Sequence, residues 1–109
     1  MSTFGIITAL ELKAKFDAGE TFRLIDVREP REHRVSSIAG AELRPLGEIQ
    51  NWADSLPDKN EEIILHCHHG MRSERAASYL AHLGFTNAKN LVGGIDDWSI
   101  TVDPSVPRY

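Results

Sequence analysis

A chain of 109 residues, 41% hydrophobic and 26% charged, has the make-up of one ordinary globular domain built on one core. Its 12 basic and 16 acidic residues leave a formal net charge of -4, the wrong sign of field for holding nucleic acid phosphates. No run approaches the roughly 18 apolar residues of a membrane span, no basic leader precedes the opening MSTFGIITAL, and the single cysteine has no intrachain partner for a disulfide. The expectation is therefore a soluble, cytoplasmic, single-domain protein over residues 1–109, with neither membrane nor nucleic acid as partner.

The first element is a helix over about Thr8 to Ala18, where Thr8 and Glu11 have capping-box spacing, Leu10, Leu12 and Phe16 recur at helical intervals, and Gly19 closes the run. Phe22 to Val27 is a compact apolar stretch that reads as a buried strand. Pro30 suits the first turn of a short helix, and Ala41 to Arg44 a brief strand. From Leu46 to Ser55 a second amphipathic helix sets Leu46, Ile49, Trp52, Ala53 and Leu56 on one face before the turn residues Pro57 to Asn60. Glu62 to Cys67 forms the next strand, Arg72 to Leu83 a helix with Ala76, Ala77, Leu80 and Leu83 on one side, and the stretch from Asn87 to Gly93 a last short strand. Gly93 and Gly94 introduce a final turn carrying Ile95 and Trp98, and the tail with Pro104 and Pro107 is irregular. Strands alternating with helices imply a parallel sheet covered on both faces, with functional loops beyond the carboxyl ends of its strands. Two loops start there, the one after Asp26 and the one after Cys67.

The second loop, "CHHGMRS", carries the chemistry. Gly70 can supply the sharp turn, and amides curled inward at a helix start would favour an anion and lower the pKa of Cys67. Arg72 is the permanently charged cation of the loop and can hold an anionic substrate or leaving group, while Ser73 and Glu74 suit the helix entrance. The competing reading is a core thiol at a strand end, which needs none of these neighbours. A zinc site on His66, Cys67, His68 and His69 fails because consecutive side chains diverge and only His33 and His82 remain elsewhere. His66 belongs to the strand and packs within it; His68 and His69 either line the loop mouth or stand as exposed bystanders. Asp26 and Arg28 either brace the loop or form a simple strand-end ion pair, and Glu29 and Arg31 are solvated surface.

These residues resemble the single-domain rhodaneses, sulfurtransferases that carry sulfur as a cysteine persulfide. The first block, Leu24 to Ala41, is similar to the family's N-terminal signature through Asp26-Val27-Arg28 and through Ile38, Gly40 and Ala41, whereas Ser36, Ser37 and Ala39 stand where the family usually has Gly, His and Pro. The second, Ile64 to Trp98, matches the C-terminal signature at Cys67, Gly70, Arg72, Ser73, Gly84, Phe85 and the Gly93-Gly94 turn. The resemblance implies an α/β fold with a five-stranded, mostly parallel sheet and helices on both faces. It implies Cys67 as the persulfide carrier, with His68, His69, Gly70, Met71, Arg72 and Ser73 as its substrate-binding cradle and no cofactor or metal. The donor would be a small sulfur compound such as thiosulfate, and the acceptor cyanide, a small thiol or a protein; a relay module for a partner protein is the alternative. Only four residues separate Cys67 from Arg72. Tyrosine-phosphatase-type loops place five there, so the shorter loop favours sulfur over phosphate.

Overall fold

The computed structural model describes residues 3–109. Its elements run β1 (Gly5–Ile7), α1 (Ala9–Asp17), β2 (Arg23–Asp26), α2 (Pro30–Val35), β3 (Glu42–Leu43), α3 (Ile49–Asp54), β4 (Ile63–His66), α4 (Met71–His82), β5 (Ala88–Leu91) and α5 (Gly94–Thr101). The five strands form one sheet in the order β1-β5-β4-β2-β3, and every neighbouring pair is parallel. The expected five-stranded α/β sheet is thus present, and it is parallel throughout because each strand returns through a helical or loop crossover.

Alternation along the central strands divides the core in two. Ile25, Val27, Ile63, Leu65 and Cys67 face the side covered by α3 and α4, where they meet Trp52, Ala53, Ala76, Leu80 and Phe85. Leu24 and Ile64 face the other side, where Ile7, Leu12, Leu91, Ile95 and Trp98 pack from β1, α1, β5 and α5. Such two-sided burial is why the stretches around β2 and β4 read as mostly apolar runs.

Local chemistry sets most boundaries. Thr8 caps α1 as its spacing predicts: Thr8 Oγ1 accepts from the Glu11 amide at 3.2 Å while Glu11 Oε1 accepts from the Thr8 amide at 2.9 Å. Of the apolar residues expected to form that helix's inner face, Leu12 is buried, but Leu10 is 65% exposed. Pro30 opens α2. The helix expected from Leu46 to Ser55 is split into a 3-10 turn over Leu46–Glu48 and α3. Two expectations need larger correction. Strand β1 lies where no strand was foreseen, and the final "turn" is the helix α5, entered through Gly93 and Gly94, both at positive φ. After α5 the chain folds back over the sheet: Val106 is buried, and Ser36 Oγ donates to the Pro107 carbonyl at 2.6 Å. No helix among the described residues is long and apolar enough to cross a membrane.

Candidate active site

Strand β4 delivers Cys67 to the carboxyl edge of the sheet, buried to 1% exposure, and α4 begins four residues later at Met71. Gly70 makes this turn possible by taking φ +113 as the N-cap of α4, a conformation that L side chains rarely adopt. The Gly70 amide then donates to Cys67 Sγ at 3.0 Å.

The outer side of the loop is held by α5. Ile95 N donates to the Cys67 carbonyl at 2.9 Å and Asp96 N to the His68 carbonyl at 3.2 Å. With those carbonyls turned outward to the amino end of α5, the following amides are left to turn inward around the sulfur. Gly94 permits this approach: a Cβ there would stand 2.6 Å from the Cys67 carbonyl oxygen.

The electrostatics of the thiol follow. Burial pushes the Cys67 pKa up, but hydrogen bonds from the Ser73 hydroxyl and from the amides of Ser73, Gly70 and Arg72 outweigh it, and the thiol sits below its ordinary value. The amides are the firmer part of this cradle. Ser73 Oγ has one hydrogen, and its contact with Asn90 Oδ1 at 2.6 Å is much shorter than that with Cys67 Sγ at 3.4 Å. Asn90 Nδ2 in turn donates to the Gly70 carbonyl at 3.2 Å, tying β5 to the loop.

Above the sulfur lies an open cavity of about 370 Å³ lined by Cys67, His68, His69, Met71, Arg72 and Arg75. The structure therefore brings most of the expected cradle together around one opening. Ser73 differs: it is fully buried and supports the loop from beneath, in the first turn of α4, the helix entrance expected for it and Glu74. Met71 stands at the rim, 77% exposed. His68 is half-buried, its ring stacked on Tyr109 at 4.0 Å and 6° and tilted by 31° against His69 at 4.0 Å. Burial and the neighbouring His69 hold the His68 pKa below its usual value.

Arg72 is not a free cation. Its guanidinium forms a two-point pair with Glu32 of α2, Nη1 to Oε1 at 2.7 Å and Nη2 to Oε2 at 2.9 Å. That pairing, ahead of the cost of burial, drives the Glu32 carboxyl far below the usual carboxylate range and the Arg72 guanidinium further up. Tyr109 completes the network. Its hydroxyl donates to Glu32 Oε2 at 2.7 Å and accepts from Arg28 Nη1 at 2.8 Å.

Asp26 and Arg28 are both fully buried and pair through Arg28 Nη2 to Asp26 Oδ2 at 2.6 Å and Arg28 Nε to Asp26 Oδ1 at 2.8 Å. Arg28 also donates to the carbonyls of Glu32 and Ser36. These contacts fasten α2, and the pair reaches the cysteine loop through Glu32 and Arg72 and through Tyr109, whose ring stacks on His68. His66 is buried opposite Asp26 in the β2–β4 register, as expected for a strand residue, with no partner for Nε2. No group of three or more candidate metal ligands occurs among the described residues.

Glu32, Asn90 and Tyr109 escaped the sequence reading. Asn90 carried a usable signal, a polar residue inside a strand otherwise sealed from water. Glu32 sits three residues beyond Glu29 and accepts from its amide at 3.1 Å, which marks it as a helix-capping residue and hides its pairing across the fold.

Comparison with known proteins agrees with this geometry. A family model described as the rhodanese-like domain matches residues 8–101. The putative sulfur carrier protein YrkF of Bacillus subtilis is 40% identical over 87 residues, covering 80% of this chain and 46% of that protein. A rhodanese-like/PpiC domain-containing chloroplastic protein of Arabidopsis thaliana is 38% identical over 90 residues, covering 80% of this chain and 30% of its own length. The chain thus spans less than half the length of these curated relatives. Among solved structures, a rhodanese-like domain protein from Staphylococcus aureus superposes with a TM-score of 0.80 at 33% identity, covering 86% of this chain and 90% of the other. The human single-domain sulfurtransferase TSTD1 does so with 0.79 at 25%, covering 88% and 96%. With the match running from the cap of α1 to the end of α5, the chain belongs to the rhodanese-like domain family.

Proposed function

We propose that this chain is a single-domain sulfurtransferase that moves a sulfane sulfur from a donor such as thiosulfate to a thiophilic acceptor through a persulfide on Cys67. The observation that carries this reading is the cradle itself: a buried thiol whose pKa is lowered by amides of the loop it begins. In the first step the Cys67 thiolate attacks the outer sulfur of thiosulfate. The new S–S bond forms as the old one breaks, and sulfite leaves with the bonding electron pair. The loop amides that held the thiolate then hold the terminal sulfur of the persulfide. In the second step cyanide or a thiolate attacks that sulfur and Cys67 departs as thiolate. No cofactor or metal is required, and a reducing cytoplasm suits an enzyme that must keep its one cysteine free.

Mass spectrometry after incubation with thiosulfate tests the proposal: one added sulfur is expected on the peptide containing Cys67 and none in Cys67→Ala. An adduct that survives Cys67→Ala, or no adduct in the native protein, rejects it.

A protein acceptor is the second reading. The cavity opens outward beside the exposed Met71, leaving room for a partner's thiol, and one relative is named as a putative sulfur carrier. Faster discharge of the loaded protein to thiol-bearing proteins than to cyanide would favour it, and the reverse order would count against it.

A further inference from the structure

The cavity over Cys67 is walled by two arginines, and they are in different states. Arg72 gives both its terminal nitrogens to Glu32, and that carboxylate is only 14% exposed and further held by Tyr109. A donor reaching Arg72 meets a guanidinium whose charge Glu32 already balances, with only its remaining N–H groups left to give. Arg28, the next nearest arginine in the network, is buried against Asp26. His69 lies 4.0 Å from the Asp96 carboxylate, which Arg108 already engages at 2.8 Å. His68 is held toward its neutral form.

Arg75 stands apart from these. It lies one turn beyond Arg72 on α4, three residues along the same helix face, and lines the cavity that contains Cys67. It is exposed and makes no ion pair among the described residues. It also borders a second, shallower groove along α4 with Glu74, Ser78, Tyr79 and His82, which places it on the ridge where the active-site cavity meets open surface. A long side chain in that position can swing over the mouth without breaking an ion pair.

We propose that Arg75 is the specificity-determining residue that meets the negatively charged end of the sulfur donor, and that Glu32 keeps Arg72 out of that role. The assignment rests on the sulfurtransferase reading above and gives its donor a class: an anion whose oxygens face the rim while its sulfane sulfur points down to Cys67. Arg72 then acts as a positioning residue, contributing its amide to the sulfur and its side chain to the α2–α4 tie. A charge-assisted contact at an exposed rim is worth about a tenfold change in affinity at low salt, and it fades as salt rises.

The test reads binding without chemistry. Thiosulfate is titrated calorimetrically into Cys67→Ala protein, alone and with Arg75→Gln, Arg75→Lys or Lys13→Gln added; Lys13 is a net-charge control on α1, across the sheet. The expected result is a Kd about tenfold weaker with Arg75→Gln, largely restored by Arg75→Lys, and within about twofold of the parent with Lys13→Gln. The parent affinity should also fall with added salt more steeply than that of Arg75→Gln. A Kd within twofold of the parent for Arg75→Gln, an equal loss with Lys13→Gln, or no binding by the parent overturns the proposal. Circular dichroism of each variant excludes unfolding as the cause. Because Cys67 is absent throughout, these outcomes are separate from the persulfide experiment, whose failure would instead remove the sulfurtransferase reading.

Discussion

At the scale of single residues, the site depends on atoms that are missing as much as on those present. Gly94 has φ +58, and a methyl group there would press on the Cys67 carbonyl oxygen and the His68 carbonyl carbon, each at 2.6 Å. Neither is the end of a flexible side chain, so the loop itself must move. Gly94→Ala should cost at least about 2 kcal/mol in denaturant unfolding, combining the left-handed penalty with the clash, and should reduce sulfur loading of Cys67. A variant as stable as the parent would show that the α5 end does not fix the loop. Ser73 makes a complementary case. Its hydroxyl is one of several donors that lower the Cys67 thiol, so Ser73→Ala should raise the pH midpoint of Cys67 alkylation. A midpoint unmoved by Ser73→Ala would assign the whole effect to the backbone.

At the scale of elements, the short helix α2 has no buried residue of its own and is held by polar contacts: Arg28 to the carbonyls of Glu32 and of Ser36 just past its end, and Glu32 to Arg72 and Tyr109. Glu32→Gln keeps the shape of the side chain and its acceptor for the Glu29 amide but removes the ion pair. With Arg72 37% exposed, solvent screens part of that interaction, so a loss of about 1 kcal/mol in urea unfolding is expected. Faster amide exchange should be concentrated in residues 30–35, and uniform exchange would deny α2 this anchor. The same long-range character explains what could be read from the sequence. Thr8 with Glu11, and Cys67 at the end of an apolar run, announce themselves because their physics is local. Glu32 and Arg72 meet across 40 positions, and nothing near either residue specifies the other. Strand β1 is three residues long with Ile6 67% exposed at the sheet edge, too short to show a period. Helix α5 was hidden by the glycines that open it, since paired glycines signal a turn as readily as a helix entrance.

At the scale of the whole molecule, the two halves of the site meet across the centre of the sheet, where Asp26 of β2 faces His66 of β4. Asp26 is held ionised: burial opposes its charge, but hydrogen bonds from Arg28, the nearby His66 and a hydrogen bond with His33 bring its pKa below the usual value. His66 is held neutral. Complete burial, with Arg28 adding repulsion against the pull of Asp26, lowers its pKa from 6.5 to about 4. Between those two values the unfolded chain binds a proton that folded His66 refuses, so stability is fully present above pH 6.5 and declines as pH falls toward 4. The decline should be on the order of 3 kcal/mol, and the Asp26 contribution is lost further down, as pH falls through the carboxylate range. His66→Leu removes the titrating group and also a buried nitrogen that has no partner, so it should flatten the upper part of the curve at little cost near neutrality. Urea midpoints measured at pH 7.0, 5.5 and 4.5 check this. A native midpoint that stays level across the three, or a His66→Leu curve as steep as the native one, would place the acid sensitivity of the fold elsewhere than under Cys67.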